Sequence, residues 1–162
     1  MFADLVEKGQ PAALQYAFFA ERNVKKIPEL DQVDIRSAHG VQRVGIVGAG
    51  TMGGGIAMNF ANIGIPVTLL ETSQEALDRG LGIIRKNYER SLSRGRITQA
   101  QLEQRMGCLS GSTEYTDLAD VDLVIEAVFE DMSVKKSVFE RLDKVVKKEA
   151  ILATNTSSVS YT

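Results

Sequence analysis

The chain has 162 residues with 19 basic and 21 acidic side chains, a net charge of −2, one Cys and one His. That balance excludes a strongly basic nucleic-acid footprint. One Cys and one His can form neither an internal disulfide nor a protein-only tetrahedral zinc site. The uncharged run from Val44 to Leu70 contains glycines, Asn and Pro66, so it does not read as a membrane span, and no basic segment followed by an apolar one opens the chain as a signal peptide would.

Residues 1–40 read as a linker helix and a connector. Pro11 suits a first helical turn, and Leu14, Ala17 and Phe18 follow helical spacing. Phe2, Tyr16, Phe18 and Phe19 make this stretch too aromatic for a free tail, so the helix is expected to pack on something. Pro28 ends the pattern, and residues 29–40 form a mostly polar connector.

Residues 41–162 read as one α/β domain. Val44–Val47 is a β-prone run stopped by Gly48. Residues 51–63 form a helix with Met52, Ile56, Phe60 and Ile63 on one face. Pro66–Leu70 is a second strand. Leu77, Leu81, Ile84, Tyr88 and Leu92 mark a long amphipathic helix that stops near Gly95. Thr98 caps a shorter helix to about Arg105, and Cys108–Ser110 is a weak third strand. Val121–Val128 is the clearest buried strand. A helix over 133–148 follows, with Val134, Val138, Leu142 and Val145 as its apolar face, and Ile151–Thr154 is the last strand. Alternating strands and helices predict a Rossmann-type, doubly wound parallel sheet.

Gly48-Ala49-Gly50-Thr51-Met52-Gly53 matches G-x-G-x-x-G between a predicted strand and a predicted helix. In that setting Gly48 permits the tight turn, Gly50 admits a pyrophosphate to the backbone, and Gly53 lets the helix approach the strand. The N–H groups of the first helical turn and the helix dipole then favour phosphate. Glu71 closes the second strand at the distance where an acid takes the adenosine ribose hydroxyls. It would repel a 2′-phosphate, and Thr72 and Ser73 follow it rather than Arg, so the expected cofactor is NAD and not NADP.

From Val44 to Thr162 the chain resembles the NAD-binding domain of L-3-hydroxyacyl-CoA dehydrogenases. The likeness is carried by the glycine motif, by Val121-Asp122-Leu123-Val124-Ile125-Glu126-Ala127-Val128-Phe129-Glu130, by Lys135-Lys136 and by Asn155-Thr156-Ser157-Ser158. Phe18-Phe19-Ala20-Glu21-Arg22 resembles the linker helix of multifunctional fatty-acid oxidation proteins, in which an enoyl-CoA hydratase domain comes first.

The resemblance implies oxidation of (S)-3-hydroxyacyl-CoA to 3-oxoacyl-CoA in fatty-acid β-oxidation. It implies that Met52 lies against the cofactor, and that Val128, Phe129 and Glu130 line the nicotinamide side. Lys135 would reach into the cofactor and CoA region. Ser157 would approach the nicotinamide and the substrate hydroxyl as a supporting catalytic residue, with Asn155 holding its turn. The residues alone allow plainer readings: Lys135 on a solvated basic face, Ser157 capping a turn, Glu126 either paired or at a solvated strand end, and Cys108 as a small core residue.

In that family a histidine is the general base and follows the Asn-Thr-Ser-Ser turn in a His-Phe-Phe-Asn-Pro-like stretch. The single histidine, His39, precedes the first strand and does not suit that role. The chain therefore reads as a linker plus most of an NAD-binding domain, truncated at its C-terminal end, with the catalytic His and a C-terminal dehydrogenase domain beyond it. The expected setting is bacterial cytoplasm, with the peroxisome as the alternative. Competing readings are another Rossmann oxidoreductase of the 3-hydroxyisobutyrate dehydrogenase type, or a non-catalytic nucleotide-binding fragment.

Overall fold

The computed structural model describes residues 10–24, 26 and 40–156. The chain divides into two units, Met1–Gly40 and Val41–Thr162.

The described part of the first unit is helix α1, Gln10–Asn23. Leu14, Tyr16, Phe18 and Phe19 are all exposed, although the sequence led us to expect a packed helix. Phe18 and Phe19 meet edge to face with centroids 5.4 Å apart, and the Arg22 guanidinium lies 4.2 Å from the Phe18 centroid.

The second unit runs β1 (Val44–Val47), α2 (Thr51–Asn62), β2 (Val67–Leu70), α3 (Gln74–Ser93), α4 (Gln99–Gly107), β3 (Leu109–Ser112), a 3-10 turn (Tyr115–Leu118), β4 (Leu123–Glu126), α5 (Met132–Val145) and β5 (Ile151–Thr154). All strand pairs are parallel, in the order β3-β2-β1-β4-β5. Helices cover both faces of the sheet. Because side chains alternate along a strand, Val44, Ile46, Val67 and Leu69 join α2, α3 and α4 in one core. Val47, Leu70 and Val124 join Leu118, Val138 and Leu142 in the other.

Several boundaries differ from the sequence expectation. The last strand of the apolar run is Leu123–Glu126, not 121–128, because Val121 is spent on packing before the strand and Ala127 and Val128 turn out beyond it. Pro66 stands outside β2 and accepts from Val44 N–H through its carbonyl at 3.0 Å. β3 begins at Leu109 and extends to Ser112. Helix α5 stops at Val145, where Val146 turns extended (ψ 152°), so Lys147 and Lys148 are not helical. Gly95 adopts a positive φ of 65° just after α3, as its stop role requires.

The start signals act as sequence chemistry dictates. Ser73 accepts from Ala76 N–H, and Thr98 forms a full capping box with Gln101. Tyr88 ties α3 to the end of α2, its hydroxyl lying 3.1 Å from Asn62 Oδ1 and 3.3 Å from the Met58 carbonyl. Burial pushes the Tyr88 phenol above its ordinary pKa.

Candidate functional site

The strand order reverses between β1 and β4, and a cleft of about 760 Å³ opens at the carboxyl ends of the strands there. Open α/β sheets place ligands at this position. The cleft is lined by the glycine loop, by the end of β2 with Glu71 and Thr72, by Thr113–Tyr115 after β3, by Ala127–Phe129 after β4, and by one side of α5.

The glycines of the loop differ in what holds them. Gly48 has φ +102°, and a Cβ there would lie 2.7 Å from the Ala127 carbonyl oxygen. At Gly53 a Cβ would lie 1.9 Å from the Gly48 carbonyl oxygen, so α2 can start this close to β1 only with glycine. Gly50 is different. Its backbone (φ −70°, ψ −167°) suits any residue, and nothing in the chain lies within 4 Å of its missing Cβ. Packing does not account for glycine there, and the bare backbone leaves room for a ligand to approach. Gly50 also N-caps α2 with no side chain bonding the first turn, which leaves that end of the helix to an anion.

Glu71 follows β2 directly. Its Oε1 accepts from Ala49 N–H at 2.7 Å, and its Oε2 accepts from Thr72 N–H at 3.1 Å. The carboxylate thus stands against the glycine loop inside the cleft. On the β4 side, Val128 and the 82% exposed Phe129 face the cleft. Behind them lies a buried ion pair: Glu126 and Lys135 are 0% and 1% exposed. Lys135 Nζ stands 2.8 and 3.0 Å from the Glu126 oxygens and 3.6 Å from Glu130 Oε2. Glu126 also accepts from Val128 N–H at 2.8 Å and from the Thr154 hydroxyl at 2.7 Å. These added bonds offset the desolvation that makes buried pairs costly.

The structure gathers Gly48, Gly50, Met52, Glu71, Val128 and Phe129 on the cleft. Gly53 lies beneath the loop, and Glu130 stands beside Lys135. Lys135 is not on a solvated face: it shares a stripe with Val138 and Leu142 and turns its ammonium to Glu126. Val134, expected on the apolar face, instead lines the cleft, with 41% exposure. Ser157 and His39 lie outside the described residues.

Sequence reasoning missed the far wall: Thr113, Glu114, Tyr115 and Arg141, the last with its guanidinium 5.4 Å from the Tyr115 ring centroid. It also did not see Thr154 as a partner of Glu126. The available signals were a charge inside an apolar strand and a Lys three residues before Val138 on an amphipathic helix.

Residues 43–162 match the family described as 3-hydroxyacyl-CoA dehydrogenase, NAD binding domain. The chain belongs to this family. Its cofactor is NAD, and the open approach at Gly50 fits that group. Among relatives, it is 45% identical over 162 residues to a peroxisomal bifunctional enzyme of Cavia porcellus, covering 98% of this chain and 22% of that protein. It is 35% identical over 161 residues to a fatty acid oxidation complex subunit alpha of Psychrobacter cryohalolentis, covering 99% and 22%. The crystal structure of FadB2 from M. tuberculosis superposes with a TM-score of 0.73 at 44% identity, over 75% of this chain and 43% of that one. The dehydrogenase part of multifunctional enzyme 1 from C. elegans gives 0.70 at 31% identity, over 83% and 31%.

The chain thus spans about a fifth of the length of these multifunctional relatives. The relatives include bacterial and peroxisomal forms. Among the described residues no helix is long and apolar enough to cross a membrane.

Proposed function

We propose that these residues form the NAD-binding part of an enzyme that oxidises (S)-3-hydroxyacyl-CoA to 3-oxoacyl-CoA. The observation that carries this reading is Gly50, a glycine with neither a backbone nor a packing reason, at a cleft that Gly48, Met52, Glu71, Val128 and Phe129 also line.

In this reading the amides at the start of α2 bind the pyrophosphate, and Glu71 takes the adenosine ribose hydroxyls. Val128, Phe129 and Glu130 flank the nicotinamide half, and Met52 lies against the cofactor. Bound NAD supplies the hydride acceptor. Ser157, the third residue after β5, is assigned to the nicotinamide and the substrate 3-hydroxyl. Lys135 acts from behind the cleft wall.

The family resemblance assigns the general base to a histidine outside these 162 residues rather than to His39, which precedes β1 in the chain. The acyl-CoA, an upstream hydratase domain and a C-terminal dehydrogenase domain are the partners of that larger protein. The 162 residues alone are expected to bind NADH, seen as a change in its fluorescence on titration. They are expected not to oxidise NADH with acetoacetyl-CoA. Absence of NADH binding overturns the cofactor role, and robust turnover overturns the assignment of the base.

A further inference from the structure

Glu126 is the last residue of β4, and it bonds to both loops that leave the sheet on the β4 side of the cleft. Its Oε1 accepts from Val128 N–H at 2.8 Å, in the loop that faces the cleft. Its Oε2 accepts from the Thr154 hydroxyl at 2.7 Å, at the end of β5. Its own carbonyl accepts from Asn155 N–H at 2.9 Å, and Thr154 Oγ1 accepts from Thr156 N–H at 3.1 Å. Lys135, from the first turn of α5, holds both carboxylate oxygens. One buried carboxylate therefore joins β4, β5, α5 and the loops after both strands. None of these bonds involves the glycine loop or Glu71, which hold the other half of the cleft.

A dinucleotide in such a fold straddles the strand reversal, with its adenosine half on the β1–β2 side and its second nucleotide on the β4 side. We infer that Glu126 is a positioning residue. With Lys135 it fixes the loops after β4 and β5, and so presets the nicotinamide half of the site without touching the cofactor. The inference rests on the NAD-binding reading above. Positioning of this kind is specific to one half of the ligand, because a preset loop saves ordering cost only for the group that binds against it.

The test compares NADH with ADP-ribose, which lacks the nicotinamide, by calorimetric titration of the 162-residue chain and its variants. Glu126→Gln, which keeps an acceptor for Val128 N–H and removes the charge, is expected to weaken NADH about tenfold and ADP-ribose less than twofold. Thr154→Val removes the hydroxyl that links Glu126 to β5 and that accepts from Thr156 N–H, and it is expected to weaken NADH about threefold, again with ADP-ribose unchanged. It decides the matter if Glu126→Gln does not fold. Equal losses for both ligands indicate a purely structural pair and overturn the inference, as does unchanged NADH binding in a folded variant. Failure of the unsubstituted chain to bind either ligand overturns the underlying NAD reading and this inference with it.

Discussion

The backbone N–H of Ala49 donates to Oε1 of Glu71 at 2.7 Å, so the acid after β2 is hydrogen-bonded to the glycine loop after β1. The bond places the carboxylate beside the α2 N-terminus and makes two sequence signals, 22 residues apart, parts of one surface.

Charge at Glu71 is expected to set cofactor preference. In Glu71→Gln the amide oxygen still accepts from Ala49 N–H, so the loop keeps that bond, while the charge and the Thr72 N–H bond to Oε2 are lost. NADH affinity should fall about tenfold, ~1.4 kcal/mol, while NADPH affinity holds or rises, because the repulsion of a 2′-phosphate is gone. Parallel titrations with the two cofactors check this, and an unchanged NADH-to-NADPH ratio removes Glu71 from the ribose site.

Gly50 and Gly53 should respond oppositely to substitution. Gly50→Ser adds a good N-cap residue in open space, so thermal stability should hold or rise while NADH binding falls at least tenfold. Gly53→Ala puts a Cβ 1.9 Å from the Gly48 carbonyl oxygen and should cost about 3 kcal/mol of folding stability. Chemical denaturation alongside ligand titration separates the two effects.

Acid stability should depend on Asp122. Its carboxylate pairs with Lys147 Nζ and accepts from Gln42 N–H at 2.8 Å and Arg43 N–H at 2.9 Å. The Lys147 bond first, then the two amides, hold its pKa at about 2 against an ordinary 3.8. A pKa lowered by folding gives stability that is complete above the unfolded value and is lost as pH falls through the folded one. The contribution of Asp122 should therefore fade between about pH 4 and pH 2. Asp122→Asn should show a flatter loss of stability across that window in pH-dependent denaturation. An identical acid profile removes this role.

Tyr88→Phe tests the tie between α2 and α3. It deletes the hydroxyl that reaches Asn62 Oδ1 and the Met58 carbonyl and should cost about 1 kcal/mol, with NADH binding unaffected since Tyr88 is remote from the cleft lining. Denaturant midpoints of the two proteins give the difference.

The amino-acid sequence by itself determined the local features. Alternation of Val44, Ile46 and Val47 across two faces, caps at Ser73 and Thr98, and the stop at Gly95 depend on neighbours within a few residues. The order strand, glycines, helix, acid needed only spacing, so Gly48, Gly50, Gly53 and Glu71 were legible as one group, and the fold sets Glu71 against the glycine loop. Strand ends were less legible, because Val121, Ala127 and Val128 are as apolar as the strand between them, and only the partner strands limit pairing to Leu123–Glu126.

The tertiary structure alone decided what depends on residues far apart in the chain. It brought Tyr115 to Arg141 in one wall of the cleft and Thr154 to Glu126 across the sheet. It also turned Lys135 inward. Periodicity places that residue near the boundary of the apolar stripe and cannot tell a solvated ammonium from one buried on a carboxylate. The deciding term is the partner: a Lys is buried only where a carboxylate and further hydrogen bonds offset its desolvation, and Glu126 meets that condition only once β4, β5 and α5 are packed together.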